Sequence, residues 1–397
     1  MFELQSTKFE STRSSFQLQN FSVVRYGLAI LLMSGSGCGA GKRSPRQSMA
    51  ASGEGTVLER QTSVSGETSM PRETSSSQEV LSANRPTREA AEEPANALTP
   101  HRPEEAAQPV VTSSTSLGSP NAGSLAEGAA LPLKGPGFRF RPGRNLDARF
   151  GTDELVRALV RAALRVHREM PGAELYVGDL SHPHGGPIRG HGSHQNGRDV
   201  DLLFYYLDEE GAPLPPVAAP IDPRGIGIDF RDLEDPEDDI AMHLDVPRTW
   251  LLIQSLLEQP AISVQRIFIV EHIRSMLLSY VRQISVPAET VLLFEHVTCQ
   301  PRYPHDDHIH LRIYCAAEDI SDGCRDTSPV YHWHRQRLAS KGASVVLADR
   351  RRRTRPQITT AKQAREAAGP MHADVVRFLS ERESWMTAPR TGRPYCR

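Results

Sequence analysis

The sequence predicts an α+β fold, in which a small and mostly antiparallel sheet is flanked by helices and carries a polar site on one face. Two strand-like segments support this class, because their apolar side chains recur at every second position. The apolar positions are Val200, Leu202 and Phe204 in one segment and Ile309, Leu311 and Ile313 in the other. The opposite sides hold Asp199 and Asp201 in the first segment and His308, His310, Arg312 and Tyr314 in the second. A sheet with an apolar back and a polar front can cover a core and line a site.

The remaining elements are predicted from helical spacing and from short apolar runs. The first helix is expected to start after Thr152, a suitable N-cap, and to end near Pro171. The later elements are strands over 174–178, 199–204 and 264–270, a helix over 247–258 capped by Asp245, and helices over 271–282 and 362–383. Residues 208–240 are rich in Pro and Asp and are expected to form an exposed excursion.

Composition divides the chain into four segments. No Phe, Tyr or Trp occurs between Tyr26 and Phe138, and Ser, Thr, Pro, Glu, Ala and Gly fill that stretch. Such a segment buries too little apolar surface to offset the entropy lost on ordering. We therefore expect a disordered tether over 39–135, a folded domain over 136–335 and a basic extension over 336–397. The formal net charge of −2 predicts no nucleic-acid partner.

The N-terminal segment, 1–38, has the pattern of an export signal. The apolar run Tyr26–Met33 follows Arg25 and is too short to span a bilayer. The small residues that follow it end at Cys38, as in a bacterial lipoprotein signal, although Gly35 departs from that pattern. We expect export to the bacterial periplasm, with membrane attachment through a lipid on Cys38. Ordinary secretory cleavage without a lipid is the alternative.

The other four cysteines are Cys299, Cys315, Cys324 and Cys396, which allow three disulfide pairings. Cys315 and Cys324 are near enough in sequence to close a small loop, which would leave Cys299 to pair with Cys396. Their spacing does not suit a four-cysteine zinc site. Disulfides are therefore the better interpretation for an exported protein.

Two histidine-rich segments are the candidate functional site. One runs from Gly190 to Asp201 and the other from Pro304 to His310. Imidazole and carboxylate are the usual ligands of catalytic zinc, which takes three protein ligands and leaves a position for water. A His-Glu-x-x-His pattern is absent from both segments, which argues against a thermolysin-like site. Each motif alone is weakly specific, but their conjunction predicts a metal centre if the segments meet.

A family resemblance follows from four motifs taken together. They are Asp179-Leu180-Ser181, Gly185-Gly186-Pro187, the run from Gly190 to Asp201, and His305-Asp306-x-His308-x-His310. The region of about 140–325 resembles the penicillin-insensitive murein endopeptidases, part of the zinc peptidase group that includes lysostaphin-type enzymes and D-Ala-D-Ala carboxypeptidases. The resemblance implies a zinc ion (Zn2+) held by His194, Asp201 and His310, with His191 as a further histidine near the metal. It also implies cleavage of the D-alanyl–meso-diaminopimelyl cross-links of peptidoglycan.

A water-activating site also needs a group that accepts a proton and returns one to the leaving amine. His305 and His308 match the histidine pair that the family has beside its metal. His308 shares the strand face of His310, so we predict that it is the base, assisted by His305. Asp307 is the minor candidate, because strand alternation places it on the opposite face unless the chain bends there.

Other polar residues keep two interpretations each. Asp199 could orient a ligand histidine or stabilise a turn, and Arg312 could bind a substrate carboxylate or form an ion pair. His182 and His184 could contact substrate or be solvated. Asp239 and His243 are candidates for a second metal. The histidines expected to be structural or at the surface are His243, His272, His332 and His334.

Two other functions fit the same residues. The first is a D,D- or L,D-carboxypeptidase of the same metal class, which would trim stem peptides that are not cross-linked. The second is a non-catalytic module that uses zinc structurally and binds the wall. The last would have four protein ligands, with His191 or another residue in the position of the water.

Overall fold

The structure is a computed structural model that describes residues 113–303, 305–349, 359–386 and 396. Its strands are β1 Thr115–Ser119, β2 Ala122–Ala126, β3 Ala129–Ala130, β4 Lys134–Gly135, β5 Phe138–Phe140, β6 Phe150–Gly151, β7 Leu175–Val177, β8 Asp199–Leu203, β9 Tyr206–Leu207, β10 Pro213–Leu214, β11 Ile226–Asp229, β12 Ile240–Leu244, β13 Val264–Phe268, β14 Thr298–Cys299 and β15 His308–Ile313. Its α-helices are α1 Asp153–Glu169, α2 Val246–Leu257, α3 Glu271–Val281, α4 Ala288–Val297, α5 Ala317–Asp322, α6 His332–Ala339, α7 Ala361–Ala368 and α8 Ala373–Met386. Within these ranges, no helix has the length and apolarity that a membrane span requires.

A seven-stranded sheet carries the two histidine-rich segments. Its strand order is β14-β13-β15-β8-β7-β5-β4. The neighbours β13, β15, β8 and β7 are antiparallel, whereas β14 runs parallel to β13 and β5 runs parallel to β7. The predicted α+β class with a mostly antiparallel sheet is therefore confirmed. The register places His310 opposite Asp201 and Arg312 opposite Asp199.

The main core lies on the apolar side of this sheet. The apolar positions of β8 and β15 are at most 1% exposed, as the alternation predicts. Helices α1, α2 and α3 contribute to the same cluster through Leu155, Leu159, Trp250, Ile253, Ile273 and Leu277. Burial of these side chains together is the main favourable contribution to folding, at about 25 cal/mol per Å² of apolar surface. The core therefore fixes the two central strands from behind.

The predicted helices α1, α2 and α3 are confirmed. Asp245 caps α2, because its carboxylate accepts a hydrogen bond from the Arg248 backbone N–H at 3.0 Å. Helix α4 was not predicted; it follows Pro287, which suits a helix start. The disulfides are Cys315–Cys324 and Cys299–Cys396, the pairing that the short spacing favours.

The expectation of an exposed excursion over 208–240 is wrong in part. Strands β10, β9, β12 and β11 form a four-stranded antiparallel sheet. Ile221 is fully buried, and the Tyr206 hydroxyl donates to the Ala219 carbonyl at 3.1 Å. Pro and Asp content predicted loop structure here, whereas the pairing partner β12 supplies the order from outside the segment.

The predicted tether ends too late, because residues 115–126 form the β1–β2 hairpin. Polar contacts with distant residues stabilise this hairpin. The Ser116 backbone N–H donates to the Asp319 carboxylate at 2.9 Å, and the Ser116 hydroxyl donates to the Asn196 carbonyl at 2.9 Å. Composition cannot reveal order that depends on such long-range hydrogen bonds. The rest of the predicted tether and the segment ending at Cys38 lie outside the described residues.

The C-terminal segment packs against the domain. The single helix predicted over 362–383 is two helices, because Gly369 and Pro370 separate α7 from α8. A second apolar cluster joins this segment to the loop after β11 through Phe230, Leu233, Ala364, Val375, Phe378 and Leu379. The arginine-rich run over 350–355 lies outside the described residues.

Candidate metal centre

The two histidine-rich segments meet at the centre of the seven-stranded sheet. Strand β8 carries Asp199 and Asp201, and the adjacent β15 carries His308 and His310. The loop before β8 brings His191 and His194 to the same place, and the loop before β15 brings His305. Ring centroids of His194 lie 4.3 Å from His191 and 4.6 Å from His310. Residues more than a hundred positions apart therefore form one cluster.

The Asp201 carboxylate is the centre of this cluster. Three imidazole nitrogens lie near its Oδ1, and the fourth lies near Oδ2. The distances from Oδ1 are 3.3 Å to His194 Nε2, 3.5 Å to His308 Nε2 and 3.6 Å to His310 Nδ1, and the distance from Oδ2 to His191 Nδ1 is 3.7 Å. These separations exceed those of ordinary hydrogen bonds. Two ligand atoms that each lie about 2.0–2.1 Å from a tetrahedral zinc are about 3.4 Å apart.

The buried polar atoms of the cluster fit a cation. His194 Nε2 and Asp201 Oδ1 are buried and have no hydrogen-bond partner among the described residues. Leaving such atoms unsatisfied costs free energy, so each of them calls for a bound partner. His191, His194 and Asp201 also present ligand atoms that all lie within 4.8 Å of one another. These residues could hold a metal ion, with His310 on the adjacent strand as a further ligand.

Each histidine of the cluster uses its other ring nitrogen as a donor. His194 Nδ1 donates to the Leu180 carbonyl at 2.7 Å, and His310 Nε2 donates to Asp199 Oδ1 at 3.0 Å. The matching pairs are His191 Nε2 with Asp179 Oδ2 at 2.9 Å and His308 Nδ1 with Asp307 Oδ1 at 2.7 Å. Carbonyl and carboxylate oxygens only accept, so the outer nitrogen of each ring carries a proton and the other nitrogen faces Asp201. Such partners orient metal-binding histidines in known sites.

The backbone around His194 is strained in a way that the turn requires. His194 has a φ of 65°, a left-handed conformation that is uncommon outside glycine. Its N–H donates to Asp199 Oδ2 at 3.0 Å, which stabilises this conformation. Gly197 has a φ of 77°, and a Cβ there would lie 2.8 Å from Leu125 and 3.0 Å from the Thr152 nitrogen. The tight approach to β8 therefore depends on this glycine.

Asp199 orients His194 and His310 through hydrogen bonds. It is fully buried and accepts hydrogen bonds from His310, from the His194 backbone and from Arg312 Nε, the last at 2.6 Å. Burial alone would raise the pKa of Asp199, but Arg312 and His310 hold it well below its usual range. Arg312 also lies over the Phe268 ring at 5.3 Å. Of the two interpretations for each residue, the structure favours the orienting role for Asp199 and the ion pair for Arg312.

The electrostatics of the cluster favour positive charge. Burial would raise the pKa of Asp201, but His194 and His308 hold it well below its usual range, so the carboxylate is ionised. Burial lowers the pKa of His310 to about 4, which leaves a neutral imidazole. Burial would also lower the pKa of His194, yet Asp201 raises it overall. A buried carboxylate thus attracts a proton or a cation to this position.

The proton-transfer candidates lie on one side of the cluster. Burial and the neighbouring His308 lower the pKa of His305 to about 3, and the two ring centroids are 4.8 Å apart. His308 behaves in the opposite way: burial would lower its pKa, but Asp307 and Asp201 raise it well above the usual value. Asp307 was expected on the far face. Its carboxylate instead contacts His308, because β15 begins only at His308 and alternation does not extend to Asp307.

Five other histidines of the described residues are exposed or make contacts elsewhere. His184 is exposed and its carbonyl accepts from the Leu125 N–H at 3.0 Å, while His182 is half-buried. His272 donates to the Ile221 carbonyl at 2.8 Å. His334 is fully buried, stacks on Tyr314 and lies 3.3 Å from Asp326. His332 is exposed.

Asp239 and His243, the candidate residues for a second metal, do not lie together. His243 is exposed on β12, whereas the Asp239 carboxylate lies 3.3 Å from His372 Nε2. His372 comes from the C-terminal segment, so sequence spacing offered no signal for this contact.

Asp179 is a site residue whose role the sequence analysis missed. It accepts from His191 and forms an ion pair with Arg144. Burial would raise the pKa of Asp179, but His191 and Arg144 lower it. The available signal was its place in the motif Asp179-Leu180-Ser181. A carboxylate beside a metal-binding loop commonly orients a ligand histidine.

The fold and the donor set together define an α+β protein with a candidate histidine–aspartate metal centre on one face of its sheet. A sequence model described as penicillin-insensitive murein endopeptidase matches residues 116–335, more than half of the chain. The chain therefore belongs to the penicillin-insensitive murein endopeptidase family. All residues of the cluster fall inside the matched range, whereas α7, α8 and Cys396 fall outside it.

Curated relatives carry the same description. A penicillin-insensitive murein endopeptidase of Klebsiella pneumoniae subsp. pneumoniae is 28% identical over 228 residues, which cover 56% of this chain and 73% of the relative. One from Yersinia pestis bv. Antiqua is 26% identical over 226 residues, covering 56% of this chain and 74% of the relative. One from Escherichia coli is 28% identical over 223 residues, covering 55% and 72%. The resemblance expected from the sequence motifs is confirmed.

Proposed function

We propose that this chain is a zinc-dependent peptidoglycan endopeptidase that hydrolyses D-alanyl–meso-diaminopimelyl cross-links. The observation that carries the proposal is the Asp201 carboxylate, with imidazole nitrogens at 3.3–3.7 Å and buried atoms that lack a hydrogen-bond partner among the described residues. Membership of the murein endopeptidase family supports the substrate class.

His194, Asp201 and His310 are the proposed zinc ligands. The atoms that would bind zinc are His194 Nε2, Asp201 Oδ1 and His310 Nδ1. The other ring nitrogen of each histidine already donates a hydrogen bond to a protein oxygen. His191 lies on the Oδ2 side of Asp201 and is the further histidine near the metal. Zinc in such a site lowers the pKa of a bound water to about 7 and polarises the scissile carbonyl.

His308 is the proposed proton-transfer residue. Asp307 accepts the Nδ1 proton of His308, which leaves the Nε2 atom directed at the cluster. The same carboxylate raises the pKa of His308 against the effect of burial, so it stabilises the ring when it holds the transferred proton. After taking a proton, His308 would return one to the leaving amine. His305 keeps a neutral ring beside it and assists by packing at 4.8 Å.

The same proposal assigns the protein to the bacterial envelope. Cross-linked stem peptides of peptidoglycan are the partner, and the periplasm is where they occur. The signal-like segment ending at Cys38 would direct export, and a lipid on Cys38 would attach the chain to a membrane. Two disulfides are consistent with an oxidising compartment.

Digestion of purified sacculi tests the proposal. We expect cross-linked muropeptide dimers to disappear, the loss to stop on addition of a chelator, and zinc to restore it, because water activation depends on the metal. Products are identified by chromatography and mass spectrometry. Release of free D-alanine without loss of dimers would support the carboxypeptidase and overturn the endopeptidase. Wall binding without any hydrolysis would support the non-catalytic module instead.

A further inference from the structure

Asp306 connects the catalytic loop to the C-terminal helix. It lies between His305 and Asp307 and is fully buried. Its carboxylate accepts two hydrogen bonds from Arg382 of α8, from Nε at 2.9 Å and from Nη2 at 2.7 Å. Trp385 Nε1 adds a third at 3.2 Å. A residue of the histidine motif is therefore held by a helix outside the range that the family model matches.

This contact is buried and geometrically specific. The side chain of Arg382 is 5% exposed and that of Asp306 is 0% exposed. Two parallel charge-assisted hydrogen bonds fix both distance and orientation, unlike a single contact between mobile side chains. The ion pair between Arg365 and Glu383 in the same segment is different in kind, because these side chains are 49% and 69% exposed.

The loop that Asp306 belongs to needs external support. His305 has a φ of 53°, a left-handed conformation that costs free energy for a non-glycine residue. The loop backbone has two further anchors: the Val270 N–H donates to the His305 carbonyl at 3.1 Å, and the Ile221 N–H donates to the Asp306 carbonyl at 2.8 Å. The Asp306 side chain has Arg382 and Trp385 as its anchors. Release of that carboxylate would remove the side-chain anchor of the loop that carries His305 and leads into His308 at the start of β15.

The C-terminal helix is itself fixed at several points. Phe378 and Leu379 of α8 pack against Phe230. At the end of the helix, the Met386 carbonyl accepts a hydrogen bond from Gln300 Nε2 at 3.5 Å. Because the helix is fixed to the domain, its Arg382 and Trp385 side chains can hold the Asp306 carboxylate in one position.

We propose that Arg382 and Trp385 are positioning residues, which act through Asp306 to hold His305 and His308 in their reactive arrangement. The C-terminal segment thus completes the active site from outside the range of the family model. This inference rests on the proposed endopeptidase function. A small displacement of a proton-transfer group is sufficient to lower turnover on the order of 100-fold.

Arg382→Met and Arg382→Lys test the inference, with Arg365→Met as the matched control. We expect Arg382→Met to lower kcat on dimeric muropeptides by about 10- to 100-fold, with little change in KM and in zinc per chain. Arg382→Lys keeps the charge without the bidentate geometry and should give a smaller loss. Arg365→Met should retain wild-type turnover, because it removes only an exposed ion pair.

Asp306→Asn combined with Arg382→Met separates positioning from folding. This double variant leaves no unpaired buried charge, so it should fold and bind zinc while kcat stays low. Circular dichroism and zinc content establish folding for every variant. If Arg382→Met does not fold, the kcat of Arg382→Lys tests the inference in its place. Wild-type kcat in folded Arg382→Met or in the folded double variant, or an equal loss in Arg365→Met, would overturn the inference. Inactivity of the wild type would instead contradict the proposed function.

Discussion

Replacing His194 by alanine should lower the turnover of cross-linked muropeptides by about 1,000-fold or more. The substitution removes a fully buried ring whose Nε2 atom lies 3.3 Å from Asp201 Oδ1. If His194 holds the proposed zinc, the centre without it would lose the metal-activated water and the polarised carbonyl, each of which would contribute several kcal/mol to catalysis. The measurement is the initial rate of dimer loss at saturating substrate, compared with that of the wild type.

A matched control uses a histidine outside the cluster. His332 is exposed at the start of α6, so His332→Ala should keep the wild-type rate. The backbone of His194 has a left-handed conformation, which could affect the stability of the variant. Folding of His194→Ala is therefore checked by circular dichroism and by the thermal midpoint. A folded His194→Ala variant with more than a tenth of wild-type turnover would contradict its role as a ligand.

Replacing His308 by alanine should lower turnover by about 100- to 10,000-fold while zinc remains bound. That range is typical for the loss of a general acid–base group. Asp307→Asn should cost less, about 10- to 100-fold, because it removes the partner of His308 Nδ1 and leaves the imidazole in place. The kcat of both variants on soluble dimers is the measurement.

The pH dependence of Asp307→Asn gives an independent check. The Asp307 carboxylate raises the pKa of His308, so its removal lowers that pKa. The limb of the rate profile that reports His308 should then move to lower pH. Near-normal turnover of His308→Ala together with inactivity of Asp307→Asn would reverse the assignment and make Asp307 the base.

Local alternation was enough to predict the two central strands and the face of the site. Ile309 and Leu311 are buried in the core, and His310 projects to the other side, because period-two alternation holds wherever one face of a strand is covered. The register between Asp201 and His310 was not predictable, since strand pairing depends on contacts across more than a hundred residues. The prediction that the two segments meet rested instead on the presence of both histidine-rich motifs in one chain.

Contacts over long sequence distances account for most of what the sequence analysis missed. The β1–β2 hairpin depends on Asp319, and the sheet after β8 depends on β12. Arg382 contacts Asp306 across 76 positions, from a helix in the predicted basic extension. Such pairs have no periodic signature, because each contact joins segments that are far apart in the sequence.

The side-chain direction of Asp307 depended on a condition that the sequence could not decide. Strand alternation placed Asp307 opposite His310 unless the chain bends at the strand entry, and the strand begins only at His308. The backbone before that point is irregular, with a positive φ at His305, so side-chain direction there follows loop geometry. Boundaries of elements are the least predictable part of a sequence analysis, and here the boundary falls within the site.

Zinc content per chain is the measurement that tests the metal centre most directly. Wild-type protein, loaded with zinc and freed of excess metal, should retain about one tightly bound zinc per chain, consistent with one site built from His194, Asp201 and His310. The His194→Ala variant should retain far less after the same treatment, while His332→Ala should match the wild type. A folded wild type without bound zinc, or a His194→Ala variant with full zinc content, would contradict the account.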